Sequence, residues 1–416
     1  MAALVLFVLA LSACGGRKSS ERAHVVVFKH GRIEGDPSRF QRLLRRFEAL
    51  HPGLRVVDEA LPSSTDEQHQ FYVINLEAGS ADFDVLSLDV IWVPEFARAG
   101  WLLEVTPLAS ENDRRDFFPA AAEAVSFQGR LYALPWYADA GLLFYRKDLL
   151  AKYGLAPPRR WEELVQTALR VTRDEPGLYG FVWQGKQGEG LVCNVLEFLW
   201  GNGGGVLASG RPVLSTPPNL EALAFVRSLI VPYRVSPELV TTADEETTRH
   251  IFGEGRALFM RNWPYAYDVL SREGSRVRGK VGVAPLPAFG SGASASTLGG
   301  WQLGINRRSR NVDGAQRLVR YLASREAQKE LALSVGYRPS RRSLYRDPDV
   351  LGRLPFTRTM EEVLAKARPR PVTPYYMMIT QILQPELSAA VAGIRTPARA
   401  LGSADRQIAH LLELER

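Results

Sequence analysis

The sequence predicts an α/β protein built as two lobes, and three observations support this fold class. Short apolar runs with the length of buried strands alternate with helical patterns in the first part of the chain. The chain has 416 residues, enough for two or three domains that each bury a core. Two extended, proline-containing tracts favour passages of the chain between separate lobes.

The individual elements follow from residue patterns. Strands are expected at 25–28, 54–57 and 84–88, with helices at 40–50 and 68–76 between them. Further helices are predicted at 161–173, 191–200, 220–230 and 311–335. Strands that alternate with helices predict a mostly parallel sheet. Such sheets bind ligands beyond the carboxyl ends of their strands, which is where Asp89 would lie.

The passages between lobes are expected at two tracts. Residues 281–287 (VGVAPLP) form a strand-like run that turns extended at its prolines, and residues 132–136 (YALPW) give a similar signal. Proline fixes φ and disfavours helix in the residue before it, which suits a crossover. A chain that crosses more than once between two α/β lobes leaves a cleft with a hinge.

Composition and motifs exclude several classes of protein. The net charge of +7 is scattered rather than arranged in a stripe, so no nucleic-acid partner is expected. The six His residues are dispersed, and the sequence has no HExxH, CxxC, GxSxG or P-loop motif. These features disfavour a zinc enzyme, a serine hydrolase and a nucleotide-driven machine, and neither metal nor cofactor is expected.

The N-terminal residues resemble a bacterial lipoprotein signal. Residues 2–11 are almost wholly apolar, too short to span a bilayer, and lead into a lipobox-like run that ends at Cys14. We expect residues 1–22 to be a signal peptide with lipobox and tether, and Cys14 to carry lipid. No Lys or Arg precedes the apolar run, which leaves room for a start codon upstream. Cys193 then has no disulfide partner and is expected to be a small buried hydrophobe.

Carboxylates and aromatic residues occur together in segments that follow strands or flexible loops. The candidate segments are 89–92 (DVIW), 136–139 (WYAD), 261–265 (RNWPY), 299–302 (GGWQ) and 368–371 (RPRP), the last just before Tyr375-Tyr376. A sugar needs paired donors and acceptors for its hydroxyls and flat apolar partners for its C–H faces. Singly, each residue also fits a simpler role as a packing Trp, a turn-forming Asp or a solvated Arg. Their joint occurrence is what indicates a sugar site.

The chain resembles the sugar-binding lipoproteins of ABC importers, in the maltose-binding-protein class, and is most similar to the trehalose/maltose-binding branch. The matching segments spread over nearly the whole mature chain in the family's order. They are 86–92 (LSLDVIW), 132–147 (YALPWYADAGLLFYRK), 180–193 (GFVWQGKQGEGLVC), 262–266 (NWPYA), 279–287 (GKVGVAPLP), 297–305 (TLGGWQLGI) and 368–376 (RPRPVTPYY).

The resemblance implies a role for each candidate residue. Carboxylates would accept from sugar hydroxyls, Trp residues would stack on the sugar, and a backbone and an Arg would complete the site. The acceptors would be Asp89 and Asp139 with Tyr137 beside the second, the platforms Trp263 and Trp301, the backbone contact Gly300 and the donor Arg370. Asp36 aligns with an acidic ligand, although Glu34 could equally serve. His69 and Gln70 stand where the family form has basic residues, so specificity is expected to differ there.

The resemblance also implies a two-lobed periplasmic-binding-protein fold of type II, with hinged lobes and a central cleft. Residues 23–133 with 287–336 would form one lobe, and 134–286 with 337–416 the other. The protein would be an extracytoplasmic, lipid-anchored monomer and not an enzyme. It would carry an α-linked disaccharide, trehalose first and maltose second, to a membrane ABC permease.

Two rival functions remain open on the sequence. The first is a binder of a non-sugar ligand such as a glycerophosphodiester or a peptide, which the carboxylates and aromatic residues disfavour for an anionic ligand. The second is a glycoside hydrolase that would use Asp89 and Asp139 as its two carboxylates.

Overall fold

The computed structural model describes residues 24–33, 37–62, 64–290 and 292–415. Their strands form two main sheets and two short two-stranded ribbons. The strands are β1 Val25–His30, β2 Arg55–Ala60, β3 Val85–Asp89, β4 Ser126–Phe127, β5 Arg130–Leu131, β6 Ala133–Ala140, β7 Leu142–Arg146, β8 Tyr179–Val182, β9 Leu207–Ala208, β10 Arg211–Pro212, β11 Ala257–Asn262, β12 Val281–Ala284 and β13 Leu298–Ile305.

The first sheet has five strands in the order β2-β1-β3-β13-β6. Strand β1 pairs in parallel with β2 and β3, as the alternation of strands and helices predicts. Strand β13 arrives from much later in the chain and runs antiparallel to both β3 and β6. The carboxyl end of β3 therefore meets the beginning of β13 at one edge of the sheet.

The second sheet has four strands in the order β12-β7-β11-β8. Strand β11 is parallel to β8 and antiparallel to β7, and β12 is antiparallel to β7. Every residue of β11 is buried, which fits a strand in the middle of a covered sheet. Strand β6 belongs to the first sheet, and the next strand, β7, belongs to the second. The chain therefore passes from one sheet to the other at Gly141.

Helices cover these sheets. The α-helices are Pro37–Leu50, Thr65–Glu77, Val93–Arg98, Glu111–Asp116, Pro119–Ala124, Lys147–Lys152, Trp161–Asp174, Glu189–Gly201, Pro217–Ile230, Glu245–Gly253, Tyr265–Leu270, Val312–Leu322, Arg325–Ser334, Pro348–Arg353, Thr357–Lys366, Tyr376–Val391 and Pro397–Leu414. Short 3-10 helices occur at Thr106–Leu108, Glu238–Thr242 and Arg342–Arg346.

The helix Pro37–Leu50 illustrates how local sequence sets an element. Its buried residues are Phe40, Leu43, Leu44 and Phe47, the spacing of one helical face. The helix begins with proline, whose φ suits a first turn, and it ends just before the sequence Pro52-Gly53. Gly53 has a φ of +93°, a conformation that favours glycine and turns the chain toward β2.

Two details of the predicted elements are wrong. The single helix expected at 311–335 is two helices, because Ser324 begins a new one by accepting a hydrogen bond from the amide of Ala327. The tract 132–136, expected as a crossover, forms most of the first half of β6 and pairs with β13. The change of sheet comes later, at Gly141.

The expected division of lobes at 133/134 therefore differs from the pairing of strands, in which β6 belongs wholly to the first sheet.

The hinge region brings three passages between the sheets side by side. Ser296 donates its hydroxyl to the carbonyl of Gly141 at 2.9 Å. Arg368 exchanges backbone hydrogen bonds with Ser296 and Leu298, at 2.9 and 2.8 Å. Glu197 lies beneath them and accepts from the amide of Thr297 at 3.1 Å. The tract 281–287, expected as a crossover, supplies β12 and then leads from the second sheet toward β13 of the first.

Cys193 is buried, with 2% of its surface exposed, within the helix Glu189–Gly201. The expectation of a small buried hydrophobe is confirmed. Cys14 lies outside the described residues. In the part of the chain that the structure describes, no helix has both the length and the apolar composition needed to cross a membrane.

We predict that Gly141→Ala destabilises the protein by about 1–3 kcal/mol, the usual cost of forcing atoms into a packed interior. A Cβ at this position would overlap with Glu197 Oε1 and come within 2.5 Å of Arg261 Nη2. Urea unfolding monitored by tryptophan fluorescence measures the change. Gly352→Ala is the matched control, because no atom lies within 4 Å of its added Cβ. Equal stability of the two variants would contradict the role given to Gly141.

Candidate functional site

The predicted site residues of the first sheet lie on one face of it. Trp301 of β13 is paired with Asp89 of β3 on one side and with Tyr137 of β6 on the other. Directly paired residues of antiparallel strands point to the same face. Asp139, paired with Gly299, lies two residues further along β6 and shares that face. The four side chains are partly exposed.

Gly300 lets β13 and β6 approach each other closely at this point. Its φ is +101°, and a Cβ there would overlap with the carbonyl oxygen of Tyr137 and lie 2.8 Å from the Cα of Ala138. Any other residue would push the strands apart. Gly300 therefore sets the geometry between Trp301 and Asp139, whether or not its backbone touches a ligand.

Trp263, which follows a strand of the second sheet, lies against the same face of the first sheet. It follows β11, and a Cβ on Gly299 would lie 2.9 Å from the Trp263 ring. The ring therefore packs on the bare backbone of Gly299, on the face that carries Asp139. Its other support is the guanidinium of Arg261, whose Cζ lies 4.2 Å from the ring centroid. The two predicted platforms, Trp263 and Trp301, thus lie on the same face of the first sheet.

Arg370 connects the two halves of the site. It is buried, with 4% of its surface exposed. Its Nη2 donates to Asp89 Oδ1 at 3.0 Å and its Nη1 donates to Glu189 Oε1 at 2.9 Å. Asp89 ends a strand of the first sheet, whereas Glu189 begins a helix that packs with the second. Arg370 therefore bridges the lobes through two ion pairs.

Glu189 and Glu197 are site residues that the sequence reasoning missed, whereas Arg261 lies in the candidate segment 261–265. Glu189 also accepts hydrogen bonds from the Tyr376 hydroxyl at 2.6 Å and from the Thr380 hydroxyl. These bonds hold its carboxylate in the position where it accepts from Arg370. Glu189 lies inside the segment 180–193 that carries the resemblance. The signal was therefore present, but nothing in the sequence indicated that this carboxylate would meet Arg370.

Asp139 is a site residue whose pKa is shifted in favour of the neutral carboxyl. Burial raises the pKa of its carboxyl to about 6, and the guanidinium of Arg338 opposes that rise. No side-chain hydrogen bond to Asp139 forms among the described residues, in contrast to Asp89, which accepts from Arg370 and from the amide of Ile91. The carboxylate oxygens of Asp139 are thus not committed to a side-chain hydrogen bond among the described residues.

The edge of the site near residue 69 is occupied by a tight polar and aromatic cluster. His69 Nε2 lies 2.8 Å from Glu95 Oε2, and the His69 ring packs against Trp92 at 5.5 Å between centroids. Trp92 in turn makes an edge-to-face contact with Trp301 at 5.7 Å. His69 therefore contacts Trp301 only indirectly, through Trp92. Asp36 and its alternative Glu34 lie outside the described residues.

The site offers hydrogen bonding and stacking. Among the residues described, no group of His, Cys, Asp and Glu side chains has the arrangement of a metal site. Two carboxylates, an anchored guanidinium and two indoles converge where two α/β lobes meet. This combination of fold and site defines a class of hinged, two-lobed receptors that close on a small polar ligand.

Comparison with known proteins gives the family. A model of the bacterial extracellular solute-binding proteins matches residues 32–329, and the chain belongs to this family. Its location is therefore extracytoplasmic. The fold is that of the two-lobed periplasmic solute-binding proteins, as the sequence predicted.

Individual relatives agree with this assignment. A "Probable ABC transporter-binding protein" of Deinococcus radiodurans is 38% identical, over 84% of this chain and 85% of that protein. A mannitol-binding protein of Pseudomonas aeruginosa is 27% identical, over 90% of both. The structure of maltose-bound MalE3 of T. maritima superimposes with a TM-score of 0.86 at 40% identity, covering 93% of this chain and 99% of that one. The family and these relatives are binding proteins of ABC transporters rather than enzymes.

We predict that Asp139→Asn stabilises the empty protein above pH 6 by on the order of 2 kcal/mol. The folded-state pKa of about 6 lies above the ordinary 3.8. The stability linked to this group is therefore fully present below pH 3.8 and is lost as the pH rises through 6. Asn carries no charge and escapes that loss. Urea unfolding at pH 4, 6 and 8 measures the difference between variant and parent.

The control for this series is Asp66→Asn, which changes an exposed carboxylate in the first turn of a helix. It should produce no gain that grows between pH 4 and 8. An Asp139→Asn effect of the same size at all three pH values would contradict the assigned electrostatics.

Proposed function

We propose that this protein is the sugar receptor of an ABC importer and that its cargo is an α-linked disaccharide of the trehalose or maltose type. The observation that carries the proposal is that Asp89, Asp139 and Trp301 share one face of the first sheet, with the ring of Trp263 against the same face. Carboxylates at fixed positions accept hydrogen bonds from sugar hydroxyls, and indole faces pack on sugar C–H groups. Arg370, which lies between the lobes, donates hydrogen bonds to the same sugar hydroxyls.

The similarity to maltose-bound MalE3 supports a disaccharide in particular. Two indoles from different lobes provide stacking surfaces for two sugar rings. The mannitol-binding relative makes a linear polyol the main competitor, but a polyol has no ring face to place on an indole. Asp89 accepts from Arg370 in a buried ion pair, which does not suit a general acid, so the hydrolase alternative gains no support.

In this proposal the protein binds its cargo as a monomer and hands it to the membrane permease. The lobes close by hinge motion around Gly141 and the neighbouring crossovers, and closure completes the site. Asp36 or Glu34 would add an acidic contact to the sugar, as the resemblance implies. Lobe membership follows the predicted ranges, except that β6 joins the first sheet.

The proposal is tested by calorimetric titration of the protein from residue 23 onward with trehalose, maltose, sucrose, glucose, mannitol and glycerophosphocholine. Tight binding of one or two disaccharides is expected. Trp301→Ala should weaken that binding by about 1–3 kcal/mol through the loss of one aromatic contact. The matched control is Tyr233→Ala, which removes an exposed aromatic side chain that packs on Phe225 outside the cleft, and it should bind like the parent.

Two results would overturn the proposal in different ways. Binding of mannitol or of the phosphodiester alone would keep the fold and the family but replace the cargo. Binding of a disaccharide that Trp301→Ala leaves unchanged would keep the cargo but remove Trp301 from the site.

We also propose that Cys14 anchors the protein to the membrane through lipid. Cys14→Ala in the full chain, expressed in a bacterial host, is expected to move the protein from the membrane fraction to the soluble fraction. Cys14 belongs to the signal segment, so sugar affinity should stay the same. Fractionation followed by immunoblotting gives the distribution. A variant that remains with the membranes would show that the run around Cys14 is not a lipobox.

A further inference from the structure

Arg338 lies directly beside the strand that carries the sugar-site residues. Its backbone carbonyl accepts a hydrogen bond from the amide of Ala138 at 3.0 Å, and the neighbouring Pro339 is bridged to Tyr137. The ring of Tyr337 packs on that of Tyr137 at 4.3 Å between centroids. The segment around Arg338 thus extends the wall formed by β6.

The guanidinium of Arg338 is buried without a hydrogen bond. Only 1% of the residue is exposed, and its three guanidinium nitrogens find no hydrogen-bond partner among the residues described. Its Cζ lies 4.6 Å from the ring centroid of Phe356. A buried cation is costly unless other charges compensate it, so its position calls for a physical reason.

Two carboxylates face this cation, one from each lobe. Asp139 lies on β6 of the first sheet, and Asp268 lies on the helix Tyr265–Leu270 that follows β11 of the second. The phenols of Tyr345 and Tyr267 also act on the charge of Arg338. The charge of Arg338 lowers the pKa of Asp139, whereas the pKa of Asp268 is lowered by Arg338, Arg353 and Arg272 together.

We propose that Arg338 is a positioning residue of the sugar site: its charge holds Asp139 as an anion, without contacting it, so that both carboxylate oxygens can accept sugar hydroxyls. This inference rests on the proposed function and names a further determinant of it. A direct ion pair would occupy an oxygen, as Arg370 does on Asp89. The guanidinium forms no ion pair in the described residues, so it acts through space and leaves the oxygens of Asp139 open.

The charge matters because Asp139 stands in a poorly solvated place. Burial raises the pKa of its carboxyl, and Arg338 lowers it, leaving it at about 6. A protonated carboxyl loses acceptor capacity and carries no charge, so it binds hydroxyls less strongly. Sugar affinity is therefore expected to fall as the pH drops through 6. Without Arg338, the same fall would begin at a higher pH.

The experiment is calorimetric titration of the disaccharide between pH 5 and pH 8.5 with the parent, Arg338→Met and Arg338→Lys. In Arg338→Met the midpoint of the fall in affinity should move to higher pH by about one pH unit. In Arg338→Lys, which restores the charge, the midpoint should return toward that of the parent. A loss of affinity in Arg338→Met that is uniform across pH would overturn the inference, because a merely structural role predicts that result.

A second variant keeps the test decisive if Arg338→Met does not fold. Asp268→Asn removes the carboxylate that shares Arg338 with Asp139, so the midpoint should move to lower pH. Asp139→Asn should bind more weakly and show no fall near pH 6. An unchanged midpoint in Asp268→Asn would count against the inference.

A measurement without sugar separates this inference from the proposed function. The pKa of Asp139 can be followed by carbon NMR of its carboxyl in the empty protein, with Asp139→Asn to identify the signal. An upward shift in Arg338→Met with no sugar bound by the parent would overturn the function and keep the charge coupling. Sugar binding with an unshifted carboxyl would overturn the inference alone.

Discussion

The buried ion pair between Glu197 and Arg261 is the interaction on which the two-lobed arrangement depends. Arg261 Nε and Nη2 donate to the two oxygens of Glu197 at 2.9 and 2.5 Å, and both residues are almost fully buried. Glu197 also accepts from the amide of Thr297, where the chain enters β13. Gly141 must be glycine for the crossover to pass over the pair. A buried pair of this kind is weak evidence for high stability, but the removal of one partner would leave an unpaired charge. The pair therefore fixes where the sheets meet rather than how strongly they hold together.

The position of Trp263 in the site depends on the ion pair between Glu197 and Arg261. Arg261 supports the ring of Trp263 from below, and the backbone of Gly299 receives the ring from the other lobe. On the first sheet the positions of Asp89, Trp301 and Asp139 follow from strand register alone, with Gly300 drawing β13 onto β6. One wall is thus set by backbone pairing, while the other depends on a stacked cation.

The sequence predicts most of this architecture because the signals are local. Buried strands, the amphipathic helix that begins at Pro37 and the residues that follow each strand are all visible within short windows. Contacts across long separations are not. Arg370 and Glu189 are 181 residues apart in the sequence, and Arg261 and Glu197 are 64 apart. No short stretch of sequence therefore predicts either ion pair. The break at Ser324 was missed because the apolar pattern continues through it and only a capping hydroxyl marks the new start. The tract 132–136 was predicted to be a crossover because it contains Pro135. Proline is compatible with a strand, however, wherever its missing amide hydrogen is not needed for pairing.

The two predicted acceptors have different physical roles even though they are the same residue type. Asp89 accepts from a buried guanidinium that is itself held by Glu189, so its charge is neutralised by contact and one oxygen is committed to the protein. Asp139 receives no such contact, and its charge is balanced by a cation that stays out of hydrogen-bond range. A carboxylate committed to an ion pair orients the ligand but gains little from it, because its partner has already satisfied it. A carboxylate with open oxygens in a buried place gains most when hydroxyls arrive, since they replace lost solvation. Discrimination between ligands should therefore concentrate around Asp139, whereas Asp89 chiefly maintains the bridge between the lobes.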